Sequence, residues 1–414
     1  MILIYKNLIE KYVNKISSIL ILLIIITFPV NQQLHIRPFP TVDGFIIDYL
    51  ILKISLPEVL VLSFFILNFW RIFNGLPRKS YLYLLVVLAL VFYSIYLSKY
   101  KSLAIYENLI WICVAICGFF LYKNPYLINK LHLEKSLKFW IILLFILGQF
   151  QFINQGSVFN NYRLTGEFPY SESNLFIKQR GNILTDFLPP MGIFSHANIF
   201  GAYILFLLAI LHFLKKDSLK YHFFALGIII STGSIPVMVS YLFLLFFSRF
   251  QKILSFKVII VLLIISFLPL FMKANYFSDN FSIFRRVYLL DISENFFVKN
   301  PTNLFLGSGY YNYFSIIRSD LWDYEIIRFF QPPHNIFILV IWNYGLFFLL
   351  FIFFLLFIIF LILKQNKLSN KKYLKFILLI IFLGTFDHYL ITNHQFRVLY
   401  LFIPYSIFYK NDVK

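Results

Sequence analysis

Gln331-Pro332-Pro333-His334-Asn335 stands directly ahead of a long apolar run, and it is the segment of this chain best suited to proton transfer. Two prolines fix the backbone before a helix start. A histidine at that position feels the positive end of the helix dipole, which disfavours its protonated form. A neutral imidazole can accept a proton near pH 7, as a general base must. The same residue could also merely cap the helix, and the sequence leaves both readings open. Two further His-bearing patches lie at the ends of apolar runs. One is Gly192-Ile193-Phe194-Ser195-His196-Ala197-Asn198-Ile199-Phe200-Gly201; the other is Phe386-Asp387-His388-Tyr389 with Asn393-His394-Gln395. Polar groups at such depth usually face a cavity. Three patches on one side therefore point to a shared cavity, although each taken alone also fits a cap or a packing residue.

Other chemistries lack their signatures. Gly307-Ser308-Gly309 has no Lys-Ser/Thr after it, so a phosphate loop fails. There is no G-x-S-x-G elbow, no H-E-x-x-H and no D-x-D pair in the first loops, so neither a metal nor another cofactor is indicated. Cys113 and Cys117 sit four apart in one apolar run and read as small packing residues.

The elements that hold these residues are set by composition. Hydrophobic residues make up 60% of the 414 and charged residues 13%, against roughly 45–50% and about 25% in soluble chains. Too little polar side chain remains to cover a soluble core. The fold class is therefore an all-α polytopic membrane protein, one transmembrane domain over 1–414. Candidate spans are 16–30, 56–70, 81–97, 104–122, 139–155, 193–214, 223–233, 236–248, 257–272, 336–363, 374–388 and 396–409, about twelve helices by the usual span length. The first follows Lys6, Lys11 and Lys15 with no small-residue cleavage site, so it is expected to stay as an uncleaved span.

Net charge is +19. The basic residues cluster between apolar runs, which suits membrane topology rather than nucleic acid. Lys+Arg asymmetry places both termini in the cytoplasm. Arg71, Arg78 and Arg249 then fall inside, while Arg37, Arg163, Arg180, Arg285, Arg286, Arg318, Arg328 and Arg397 fall outside. Topology does not sort Lys from Arg, whereas gripping phosphate with a planar fork does. Pairing with Asp320, Asp323 or Glu325 is the alternative. Two exoplasmic loops are long, 156–192 and, between the ninth and tenth spans, 273–335; loops of that size are usually functional. The second carries a helix-like stretch from Arg285 to Val298. Its aromatic residues, Tyr310, Tyr311, Tyr313, Phe314, Trp322, Tyr324, Phe329 and Phe330, interleave with Arg in a way that suits sugar and phosphate ligands, although aromatic residues at a membrane interface are as common without any ligand.

These motifs, in this order, resemble the O-antigen ligase / O-antigen polymerase family, polytopic enzymes of glycosyltransferase-C-like architecture. The resemblance covers most of the chain and is strongest from about 186 to 400. The family's G-x-F-x-H-P-N-x-x-G is matched by Gly192, Phe194, His196, Ala197 in place of Pro, Asn198 and Gly201. Its Arg-headed helix, N-P and G-x-G are matched by Arg286, Asn300-Pro301 and Gly307-Ser308-Gly309. Its H-N before a Gly-bearing apolar helix is matched by His334-Asn335 and Gly345, and an F-D-H-Y near the last spans by Phe386 to Tyr389.

The resemblance implies transfer of a glycan from undecaprenyl diphosphate to a glycan or lipid-core acceptor, on the outer face of the bacterial cytoplasmic membrane. His334 would activate the acceptor hydroxyl and Arg286 would grip the diphosphate. The reaction would be inverting and need no metal. Arg285, Arg163, Arg180, His196, Asn198, Asn335, Asp387 and His388 are the further candidates for substrate binding. One departure stands out: Ser231-Thr232-Gly233-Ser234-Ile235 puts Ile235 where the family often has a second Arg. Arg163, Arg180 or Arg285 would then supply the second cation. Arg286→Ala is expected to abolish transfer and Arg318→Ala to leave it. The rival readings are a transporter or flippase of lipid-linked sugars, and a catalytically altered member of an envelope assembly. The halves show no convincing repeat, which speaks against a transporter.

Overall fold

A computed structural model describes residues 2–42, 44–170, 187–246, 261, 281–317, 331–365 and 370–408. The chain is mostly helical. In order, the helices are α1 (Ile2–Thr27), α2 (Leu56–Asn74), α3 (Arg78–Leu97), α4 (Lys101–Lys123), α5 (Lys130–Asn154), α6 (Tyr162–Thr165), α7 (Ala197–Phe213), α8 (Leu219–Thr232) and α9 (Ile235–Phe246). They continue as α10 (Phe281–Lys299), α11 (Pro301–Leu306), α12 (Tyr313–Ile317), α13 (Ile336–Gln365), α14 (Asn370–Phe386), α15 (Tyr389–Thr392), α16 (His394–Tyr400) and α17 (Ile403–Phe408). The expected span 257–272, apart from residue 261, lies outside the described residues. The expected span 396–409 is two short helices, α16 and α17, rather than one.

Among the described residues, α2, α3, α4, α5 and α13 are long and apolar enough to cross a membrane; α7, α8 and α9 are apolar but shorter. The outer helices expose apolar side chains, including Leu82, Leu85 and Phe92 on α3 and Phe347, Leu350 and Phe354 on α13. Such a surface is stable against lipid, not against water. By contrast α7 is apolar all round and almost wholly buried, so it runs through the centre of the bundle.

Residues 33–55 form two small antiparallel pairs. β1 (Gln33–Ile36) pairs with β4 (Leu52–Ser55), and β2 (Thr41–Val42) with β3 (Phe45–Ile46). Ser55 then begins α2 through a capping box with Glu58. Glu58 has a second task. The fully buried Arg397 on α16 lies between it, Nε to Oε1 3.4 Å, and Glu107 of α4, Nη2 to Oε1 3.3 Å. The hydroxyls of Tyr106 and Tyr310 donate to Glu58 and Glu107 at 3.1 and 2.7 Å. This ion cluster joins α2, α4, α16 and the segment after α11 in the core.

The long helix α13 is broken at Gly345, whose φ of 85° and ψ of 167° are not helical. The G-x-G segment fills the break. Ser308 donates its N–H and its hydroxyl to the Trp342 carbonyl at 2.8 and 2.9 Å. The Ser94 hydroxyl takes the Asn343 carbonyl at 2.5 Å, and Asn343 Oδ1 accepts the Tyr311 N–H at 3.0 Å. A Cβ on Gly345 would lie 2.2 Å from the Phe305 carbonyl oxygen, and one on Gly307 2.8 Å from the Gly345 nitrogen. Two backbones meet here at a distance that only paired glycines permit. Freed backbone groups in an apolar helix need such internal partners.

Candidate active site

The start of α13 and the end of α14 bring the central residues together. His334 lies two residues before α13 and Asp387 directly after α14, and the two helices pack against each other. Asp387 Oδ1 is 3.3 Å from His334 Nδ1, accepts the His388 backbone N–H at 2.9 Å, and lies 3.9 Å from His388 Nε2. The two imidazole centres are 5.2 Å apart. On the other side of His334, Nε2 meets Gln331 Oε1 at 3.1 Å. His388 Nδ1 is held by the Thr392 hydroxyl at 2.8 Å.

Arg285 and Arg286, in the first turns of α10, lie within range of this group for their charges to act on it. Both guanidinium charges act on the imidazoles of His334 and His388, and that of Arg286 acts on Asp387 as well. Arg285 is buried and Arg286 half-buried. Burial is the main reason that the His334 pKa falls below the ordinary imidazole value, the Asp387 carboxylate opposing and the two arginines reinforcing the shift. His334 is thus neutral near pH 7, with one N–H and two acceptors beside it: Gln331 Oε1, which takes the proton on Nε2, and the Asp387 carboxylate 3.3 Å from Nδ1. A hydroxyl entering in place of Gln331 Oε1 would find the lone pair on Nε2 once the ring N–H sits on Nδ1, facing Asp387.

His334, Asp387 and His388 also offer three ligand atoms within 4.8 Å of one another. Two imidazoles and a carboxylate could hold a divalent ion. Two arginine charges acting on the same groups oppose a second cation and favour an anion.

The remaining sequence candidates take other places. Asn335 is the N-cap of α13, its Oδ1 accepting from the Phe337 and Ile338 amides at 2.9 and 3.3 Å. His196 is the N-cap of α7 and accepts the Asn198 N–H on Nδ1 at 3.1 Å; Asn198 lies half-buried in that first turn. Within the same motif, Gly192 and Phe194 pack on Phe200, with the Phe194 and Phe200 rings stacked at 5.8 Å. Arg163 is exposed on α6, a turn whose carbonyl ends are tied to Asn31 and Gln32. Arg180, Arg318 and Arg328 lie outside the described residues, as do Trp322, Tyr324, Phe329 and Phe330. Ile235 opens α9 and is 53% exposed. His394 is held by Gln33 at 2.6 Å and by the Val30 carbonyl at 3.3 Å. It fastens the N-terminal segment and stands apart from the histidine pair.

The aromatic loop differs from the sugar platform its composition suggests. Tyr310, Tyr311, Tyr313 and Phe314 are buried and packed on one another. They are drawn inward because Gly307-Ser308-Gly309 follows the break in α13.

Three neighbours of the site carry no mark in the sequence strong enough to single them out. Tyr49, from the turn Asp48–Leu50, sets its ring edge-on to His388 at 5.5 Å and stacks on Phe314 at 6.1 Å. Thr392 reaches His388 from the next turn. Gln331 was visible only as the head of the Pro-Pro-His segment, three residues before His334.

No family model, curated protein or solved structure matches this chain.

Proposed function

We propose that the protein transfers a glycan from undecaprenyl diphosphate to a sugar acceptor, in the manner of an O-antigen ligase or polymerase. The site would open on the outer face of a bacterial cytoplasmic membrane, in a twelve-span chain with both termini inside. The observation that carries this reading is the His334–Asp387 pair under the charges of Arg285 and Arg286. A neutral base and an anion-stabilising pair are the two requirements of this reaction.

In the proposed step His334 Nε2 takes the proton of an acceptor hydroxyl. The freed oxygen attacks the anomeric carbon from the face opposite the diphosphate, so the new glycosidic bond is inverted. The anomeric C–O bond breaks and its electron pair leaves with the diphosphate. Arg286 and Arg285 stabilise the charge that gathers there, which supplies the second cation that Ile235 does not. Asp387 holds the imidazole in the tautomer the step needs and balances the imidazolium that forms.

The test uses the full chain in proteoliposomes with polyprenyl-diphosphate oligosaccharide and an acceptor panel, in EDTA. Wild type is expected to release polyprenyl diphosphate and His334→Ala not to. Equal release by both would remove His334 as base, and release that EDTA abolishes would give the three ligand atoms a metal role instead.

A transporter of lipid-linked sugars is the second reading, and the break in α13 is what favours it, since transporters place substrates at discontinuous helices. The Trp342 and Asn343 carbonyls freed by this break are taken by Ser308 and Ser94. They are therefore sealed in protein rather than turned to a path.

A further inference from the structure

Lys372, in the first turn of α14, lies at the opposite end of that helix from Asp387, roughly 20 Å away at 1.5 Å per residue. Its ammonium reaches the Phe213 carbonyl at the C-terminal end of α7 and lies 3.5 Å from the Ser406 carbonyl of α17. The charges of Lys215, just past α7, and of Lys130, the first residue of α5, both act on it, while Lys216 and, with opposite sign, Glu134 act on Lys130. The Lys216–Glu134 pair and the contact of Lys372 with the Phe213 carbonyl bring the ends of α5, α7 and α14 together. The neighbouring acids already have partners: Glu134 pairs with Lys138 at 2.6 Å and Lys216 at 3.4 Å, and Asp217 lies between His212 and His222 at 2.9 and 3.1 Å. Lys375, one turn further along α14, is buried and donates to His212 Nε2 at 3.1 Å.

Topological bias alone puts lysines in watery loops; it does not gather them around a half-buried ammonium between packed helices. We propose that Lys130, Lys215 and Lys372 bind the phosphate of an anionic phospholipid, phosphatidylglycerol being the simplest example. The apolar flanks of this end offer the acyl chains a surface: Leu131 on α5 and Leu219 on α8 are 53% and 86% exposed. Basic pockets between helix ends are a recurring way to hold such headgroups. The proposal stands independently of any reaction at His334.

The test places the full chain in phosphatidylcholine nanodiscs with a trace of phosphatidylglycerol carrying a photoactivatable group near its headgroup, followed by peptide mapping. Labelling is expected on peptides containing 130–138, 213–218 and 371–376, competed by unlabelled phosphatidylglycerol and not by phosphatidylcholine. Lys130→Gln/Lys215→Gln should weaken it roughly 25-fold, at about five-fold per lysine. Both side chains are exposed or half-buried, so the fold should hold, and Lys372 is left to cap α7. Lys220→Gln, whose ammonium lies over the Phe224 ring at 5.8 Å, should leave labelling unchanged. Unaltered labelling in the double variant, or equal competition by phosphatidylcholine, would overturn the proposal. Displacement by millimolar inorganic phosphate would overturn the lipid as source and make this a soluble-anion site.

Discussion

His334 and Asp387 are set so that each gives the other its role. A buried imidazole without a carboxylate would be neutral but have no acceptor for Nδ1–H; Asp387 at 3.3 Å offers one when a substrate hydroxyl takes the place of Gln331 Oε1 at Nε2. His334→Ala is expected to lower turnover by about 10²–10⁴-fold, the usual worth of a positioned general base. Asp387→Asn should reduce kcat with a smaller change in KM. The pH dependence follows from the direction of the shift. Burial lowers the His334 pKa, so activity should persist as pH falls through 6.5 and decline only below it. Removing Asp387 takes away the group that raises that pKa, so the acid limb should move to still lower pH. A limb at or above the ordinary imidazole value in wild type would contradict the geometry. Arg286→Ala should abolish release of the diphosphate, whereas Arg163→Ala, exposed on α6, should retain most of it.

At the level of elements, two joints hold the helices that carry the site. The first is the contact between Gly307 and the break in α13. Gly345→Ala forces a Cβ to within 2.2 Å of the Phe305 carbonyl oxygen at a φ of 85°. Strain of that backbone kind costs about 1–3 kcal/mol before any clash, so a loss of about 3 kcal/mol or more is expected, read as a fall in the thermal unfolding midpoint. Gly384, on α14, offers a check of a different kind: the nearest atoms to a Cβ there are side-chain atoms of Ile336, Cγ2 at 2.4 Å, rather than backbone, and no left-handed φ is involved. Gly384→Ala should therefore cost less than Gly345→Ala. The second joint is Arg397 between Glu58 and Glu107. Arg397→Ala leaves two buried carboxylates without their cation and should destabilise by about 3–5 kcal/mol. Arg397→Met combined with Glu58→Gln and Glu107→Gln should recover much of that loss, because the charges are removed together.

At the two ends of α14 the charges differ in type. Two arginines act on the histidine end, and lysines gather at the far end of α7 and α14. The two ends should therefore face opposite sides of a membrane. Leu164 is 78% exposed, the Lys216 side chain 42%, and the native thiols Cys113 and Cys117 are buried. Leu164→Cys is expected to react with an impermeant maleimide from outside, and Lys216→Cys, exposed just past α7, only once the membrane is opened. Labelling of both from one side would reject the expected topology.

Apolar content and charge scarcity determined from the sequence alone that this is a helical membrane protein, because burial of a helix in lipid depends on local composition. Local spacing likewise marked His334 ahead of a helix and Arg285-Arg286 at the head of another, since caps, prolines and helix starts are short-range features. What joins them is not local. Asp387 reads in the sequence as one member of a separate polar patch, and only the packing of α14 on α13 makes it the partner of His334. The aromatic residues of 310–314 look like a ligand platform until Gly307-Ser308-Gly309 is seen to follow the break in α13 into the core. Arg397 counts as an outer arginine by position, yet its contacts are with span acids Glu58 and Glu107. Tyr49 had no signal, because its closeness to His388 arises from the way residues 33–55 fold back over the bundle. Hydrophobic patterning says which face of each helix is covered; which helix covers it, and so which polar groups meet, is decided only when all the faces pack at once.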